Sequence, residues 1–325
     1  MKLKQLYIAT LIVTVPATSI FAAALERSNQ SIQAFLESGN YIEAGVNITD
    51  QNITGKTTKN LVGNFASNTG STYRNLTNQD TGSVGDTYFT PHITAKIQAS
   101  EKLSLGLIYD EPFAINTHYK NPSNYMSTSN SNSNFKTGLD LQTKNISLMI
   151  GFQPTHEWNY FIGLVNQQMN GKIGYDGLQL GYITPTLTPF NGYHSSFRDN
   201  AFGWLTGISY QNNERSLKTS ITYRSKINHK FNPNEDDRLN ADTAMPAAQK
   251  PDMIALLDYK TGHTGSFNTP QSINLDMSKQ IANTTAFINI RWIDWSNVDL
   301  NLPYFRAKSG YNYPYANNPQ PPPIQ

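Results

Sequence analysis

Residues able to do chemistry are few in this chain and badly spaced for it. The 6 histidines stand singly, none at the short spacing that places two imidazoles on one metal ion. His156 and Glu157 open a zinc-protease motif, but the second histidine is missing, since position 160 is Tyr160. The stretch Thr54 to Thr58 ends like a phosphate loop, yet Asp50 stands where the first glycine of that loop belongs. No Gly-x-Ser-x-Gly occurs. With 0 cysteines, thiolate metal sites and disulfide frames are excluded. Asn-x-Ser/Thr triplets such as Asn47 to Thr49 and Asn145 to Ser147 follow from an Asn- and Thr-rich composition. No metal site, cofactor or enzymatic activity is expected.

The elements themselves must then carry the argument. Charged residues are 15% of the 325, and the formal net charge is +2. Lys and Arg are scattered, so the basic clusters of a nucleic-acid binder are missing. Hydrophobic residues are 38%, yet the chain holds 18 Tyr, 15 Phe and 4 Trp. A soluble domain uses about half apolar residues, and a disordered one carries few aromatics. A transmembrane β-barrel reconciles both facts, because only alternate strand residues face lipid. At the start, Lys2 and Lys4 precede an apolar run from Leu6 to Val15 and the small residues Ala22, Ala23 and Ala24. Residues 1–24 read as a secretory signal peptide. No later stretch has the roughly 18 apolar residues of a membrane helix.

Beyond it, apolar and polar residues alternate with a period of two, the mark of two-sided strands. Leu103, Leu105, Leu107 and Tyr109 share one face; Ile146, Leu148, Ile150 and Phe152 share another, as do Phe202, Trp204, Ile208 and Tyr210. Leu217, Thr219, Ile221 and Tyr223 point outward, which turns Lys218, Ser220, Thr222 and Arg224 inward. On the last such stretch Ile288, Ile290 and Trp292 oppose Phe287, Asn289 and Arg291. About nine strands are expected, near 40–49, 87–99, 102–111, 140–153, 158–170, 202–212, 216–229, 271–281 and 284–295. Short turns near Glu101, Thr155, Asn213 and Ala282 alternate with long polar stretches at 56–83, 121–134, 171–199 and 232–265. Short periplasmic turns and long outer loops are what an outer-membrane barrel has. The fold expected is all-β: an antiparallel transmembrane barrel over 40–310, behind a short plug segment at 25–39. Residues 311–325 include Pro321, Pro322 and Pro323. Prolines cannot extend a strand, so this end is expected within an outer loop.

Three stretches, in order, resemble the FadL family of outer-membrane long-chain fatty acid transporters. They are Tyr88 to Tyr119, Ala201 to Asn232 with its Thr222-Tyr223-Arg224-Ser225, and Asn268 to Val298 with Pro270 ahead of one strand and Trp295-Ser296 closing the next. The resemblance implies a fourteen-stranded monomeric barrel with an N-terminal hatch. It implies an outer-membrane channel for long-chain fatty acids or other hydrophobic molecules, released sideways into the bilayer at a kink in the third strand. Outer-membrane lipid and lipopolysaccharide would surround it.

Carried onto this sequence, the kink falls at Pro112, and Asp110, Glu111, Pro112 and Phe113 are expected to shape the lateral opening. Arg224 and Arg291 lie on the lumen parity. Each would pair with another lumen charge or meet a carboxylate head group. The plug would present Ile32, Phe35 and Leu36. It is shorter than the family's hatch and lacks the Asn-Pro-Ala motif. About five strands of the family barrel are unaccounted for, so the chain is expected to stop early. A general porin for small polar solutes and a surface adhesin are the competing readings. Few charges in the strands count against the porin.

Overall fold

The computed structural model describes residues 25–56, 80–119, 137–180, 187–212, 214, 216–237, 264–281 and 284–302. The expected signal peptide and the proline-rich end lie outside these. Alternation becomes strand almost throughout. The chain runs through β1 (Tyr41–Thr49), β2 (Tyr88–Gln98), β3 (Leu103–Asp110), β4 (Ala114–His118), β5 (Gly138–Phe152), β6 (Trp158–Leu180) and β7 (Leu187–Asn212). It continues through β8 (Leu217–Arg224), β9 (Ile227–Phe231), β10 (Asn234–Asp237), β11 (Gly265–Thr269), β12 (Ser272–Ile281), β13 (Thr284–Ile293) and β14 (Leu300–Asn301). The main sheet is antiparallel, in the order β1-β2-β3-β5-β6-β7-β8-β12-β13.

Those nine strands are the nine read from the alternation. The remaining segments prolong them. β4 continues β3 along the same edge of β5. β9 pairs with β11, and β11 with β14, so three neighbouring wall strands break and resume together. One expectation is corrected. The stretch 171–199 is largely strand, because β6 and β7 form a hairpin far longer than the lipid is thick. Its described outward positions, Lys172, Ser196 and Arg198, are polar, so periodicity of hydrophobicity no longer marks it, yet inward Phe197 still packs.

The register turns Leu105, Leu107, Leu148, Ile150, Ile162, Leu164 and Trp204 outward, 44% to 58% exposed. Their neighbours Ser104, Ser147, Met149, Val165 and Leu205 are buried on the other face. An apolar surface this continuous belongs in lipid rather than water. At the short-turn end, Trp158 and Tyr210 meet at a tilt of 53° with centroids 4.8 Å apart, as suits an interfacial aromatic belt.

Inside lie two apolar clusters. The one toward the short turns joins Ile32 and Phe35 to Ile108, Met149, Phe161, Val165, Leu205 and Ile227. The other, toward the long loops, joins Leu141, Met169, Phe197, Phe231, Phe267 and Leu302.

Candidate functional site in the lumen

The segment from Leu25 descends through the lumen to β1. It includes a single 3-10 turn at Gln33–Leu36, which buries Phe35 completely and Ile32 almost so; Leu36 is half-buried. Glycines on the wall make room for it. A Cβ on Gly106 would lie 2.4 Å from the Phe35 ring, closer than any real contact allows.

Polar groups fix the rest of the segment. Gln30 adopts φ 48°, a left-handed conformation that costs a non-glycine residue energy unless its surroundings hold it. The two lumen arginines are those surroundings. Arg224 Nη2 donates to the Gln30 carbonyl at 2.5 Å, and Arg291 Nη2 to Gln30 Oε1 at 2.6 Å. Arg291 also pairs with Glu26 at 3.0 Å. Burial holds the Glu26 carboxyl above its usual range, with Arg291 pulling the other way. Ser28 Oγ donates to Asp110 at 3.3 Å, and Asn274 to the Asn29 carbonyl at 3.0 Å. Near the short turns, Lys218 grips both Glu37 oxygens at 2.9 and 3.0 Å. Glu26, Gln30 and Glu37 were not singled out from the sequence, since nothing in their spacing ties them to strands some 200 residues away.

The wall has a break where Pro112 stands. Asp110 opposes Asn145 and Ala114 opposes Gln142. Glu111, Pro112 and Phe113 therefore face only Thr143 and Lys144, a bulge of one extra residue. On the other edge, pairing with β2 stops at Ile93↔Tyr109 and resumes only at the Gly85↔Thr117 bridge. The plug's first described residues fill this window. Glu26 bridges Phe113, Arg27 N–H donates to the Pro112 carbonyl at 2.8 Å, and Ala114 N–H donates to the Leu25 carbonyl at 2.8 Å. The Arg27 guanidinium lies 3.5 Å over the Tyr88 ring and donates to the Ala114 carbonyl at 2.7 Å.

Of the residues expected at the kink, Phe113 turns inward against Trp295, with centroids 6.1 Å apart. Glu111 lies toward the outer face, accepting from the Tyr109 hydroxyl at 2.5 Å and Gln142 at 2.6 Å. Asp110 is buried beside the plug.

Between the two apolar clusters runs a polar layer. Gln167 accepts from Thr269 at 2.9 Å, meets His229 Nε2 at 2.9 Å, and donates to Asn145 at 2.8 Å. Asp199 lies 3.0 Å from His229 Nδ1. The sequence did not mark this layer: on the expected strand 216–229 His229 shares the parity of Leu217 to Tyr223, which points outward, and only the break between Arg224 and Ile227 turns it in. A cavity of about 20 Å³, lined by Phe113, Asn145, Gln167, Arg224, Thr269 and Pro270 among others, adjoins it. That is room for one water. Among the described residues no cluster has the composition of a metal site.

An antiparallel wall, apolar outside and plugged inside by its own N-terminal segment, defines a membrane-spanning β-barrel protein. Residues 18–310 match the model of the family described as outer membrane protein transport protein (OMPP1/FadL/TodX), and the chain belongs to that family. It is a protein of the Gram-negative outer membrane that crosses the bilayer several times by strands. Among solved structures it is similar to a Pseudomonas aeruginosa FadL homologue, at 15% identity and TM-score 0.53, over 80% of this chain and 61% of that one. It is also similar to the P. putida toluene transporter TodX, at 12% identity and TM-score 0.45, over 82% of this chain and 65% of that one. The chain thus spans less than two thirds of the length of either. No curated protein matches it.

Proposed function

We propose that this chain takes up hydrophobic small molecules, long-chain fatty acids among them, and releases them sideways into the outer membrane through the window at Glu111 to Phe113. The observation that carries the reading is the interrupted ladder between β2 and the β3–β4 strand, filled among the described residues by Leu25 to Arg27. A wall in lipid cannot leave backbone N–H and C=O groups unpaired. Here the plug pairs those of Pro112 and Ala114, so withdrawing the plug opens the wall and the lumen in one motion. Apolar clusters on either side of the polar layer suit an apolar cargo, which gains by leaving water. They leave no wide wet bore among the described residues, which counts against a porin. Arg224 and Arg291 act in this reading as plug anchors, through Gln30 and Glu26.

A disulfide tests it. The chain has 0 cysteines, so Glu26→Cys with Phe113→Cys adds the one possible bond, between residues already bridged. Uptake of labelled fatty acid by cells should fall at least tenfold when oxidised and recover on reduction. Equal uptake in both states, with the bond shown to have formed, overturns lateral release.

A further inference from the structure

The outer face changes character at one level of the wall. On β5, Ile146 gives way to Lys144 and Gln142; on β6, Leu164 gives way to Asn170 and Lys172; on β7, Phe202 gives way to Arg198. A groove of about 820 Å³ runs over this polar level. Asn170 stands directly opposite both Gln142 and Arg198, and Arg198 Nε donates to Asn170 Oδ1 at 2.6 Å. Lys172 is the diagonal neighbour of Arg198, about 7–8 Å away, so both side chains can reach one small anion. Lys144 stands nearer the lipid, about 12 Å from Arg198 by strand spacing and rise. Among the side chains described, the carboxylates nearby are already engaged. Asp140 lies 3.2 Å from His118 Nε2, and Glu111 binds Tyr109 and Gln142, with Lys144 3.9 Å away. Neither Lys172 nor Arg198 makes an ion pair among the described residues.

We infer that this groove binds the phosphate-bearing headgroup of an outer-leaflet glycolipid of the lipid A kind. Arginine and lysine together are suited to phosphate. The position selects a lipid over a free anion: the groove begins where Ile146, Leu148 and Leu164 end, so the acyl chains borne by the same sugar headgroup lie along that apolar face. The inference is independent of what passes through the lumen.

The test uses the full chain in detergent with lipid A carrying both phosphates, the same lipid dephosphorylated, and inorganic phosphate. Native mass spectrometry reads the lipid-bound fraction. The phosphorylated lipid should bind at least tenfold better than the dephosphorylated one. K172Q/R198Q should lose that preference, and K172R/R198K should keep it. R198Q alone, expected to weaken binding severalfold, serves if the double variant fails to give a heat-modifiable barrel band. Equal binding of the dephosphorylated lipid, or a preference unchanged in the Gln variants, overturns the site. Displacement by equimolar inorganic phosphate overturns the lipid and leaves a plain anion site.

Discussion

At the scale of single residues, the plug is held by one ring and a few charges, and each makes a different prediction. Phe35 is fully buried and packs edge-on against Phe161, with centroids 6.3 Å apart. Phe35→Ala should cost about 3–5 kcal/mol of docking, the usual loss for a buried ring. Limited proteolysis of the plug in intact cells reads this, because a released plug exposes Arg27 to trypsin. Gly106→Val should release it equally, since its Cβ would overlap the same ring. Glu26 predicts a pH dependence. Burial raises its carboxyl and Arg291 opposes the rise. A raised folded value means docking is full below the ordinary carboxylate range and weakens as pH climbs to the raised value. Arg291→Gln removes the opposing charge, so the weakening should extend to higher pH than in the natural chain. Proteolysis of the plug across pH 4 to 8, on the order of that titration range, checks it. Identical profiles for the two proteins would refute the coupling.

At the scale of elements, the window is a matter of register. Pro112 removes one N–H, but the larger effect is the extra residue, which shifts β4 by one against β5 relative to β3. Pro112→Ala restores the donor without restoring register, so uptake should fall only partly. Deleting Pro112 brings β3 and β4 into one register, and uptake should then be lost while the barrel band persists. Full uptake by the deletion variant would show that the bulge plays no part. This element also marks what was legible. Leu103 to Asp110 and Asn145 to Phe152 could be read because one face is apolar and period two is strict. The upper halves of β6 and β7 could not, since Asn170, Lys172 and Arg198 face water and the alternation vanishes. Proline located the break, but its filling by Leu25 to Arg27 joins residues some 87 positions apart. Such pairing leaves no local pattern.

At the scale of the whole molecule, one strand crosses two solvents. On β5 the outward positions run Phe152, Ile150, Leu148 and Ile146 in lipid, then Lys144, Gln142 and Asp140 above it. The backbone is the same throughout, so the cost of a charge should depend on depth alone. An arginine at the bilayer middle of a barrel costs about 2–4 kcal/mol, falling to about 0–1 near the interface. Leu148→Arg should therefore destabilise the wall by about 2–4 kcal/mol. Gln142→Arg, on the same face of the same strand about 20 Å higher at 3.4 Å per residue, should cost within about 0.5 kcal/mol of nothing. Urea unfolding in lipid vesicles, followed by tryptophan fluorescence, measures both. Equal costs would mean that this face does not meet hydrocarbon where the apolar residues end. The level assigned to the phosphate-binding groove would then fall with it, because that level is defined by the same boundary.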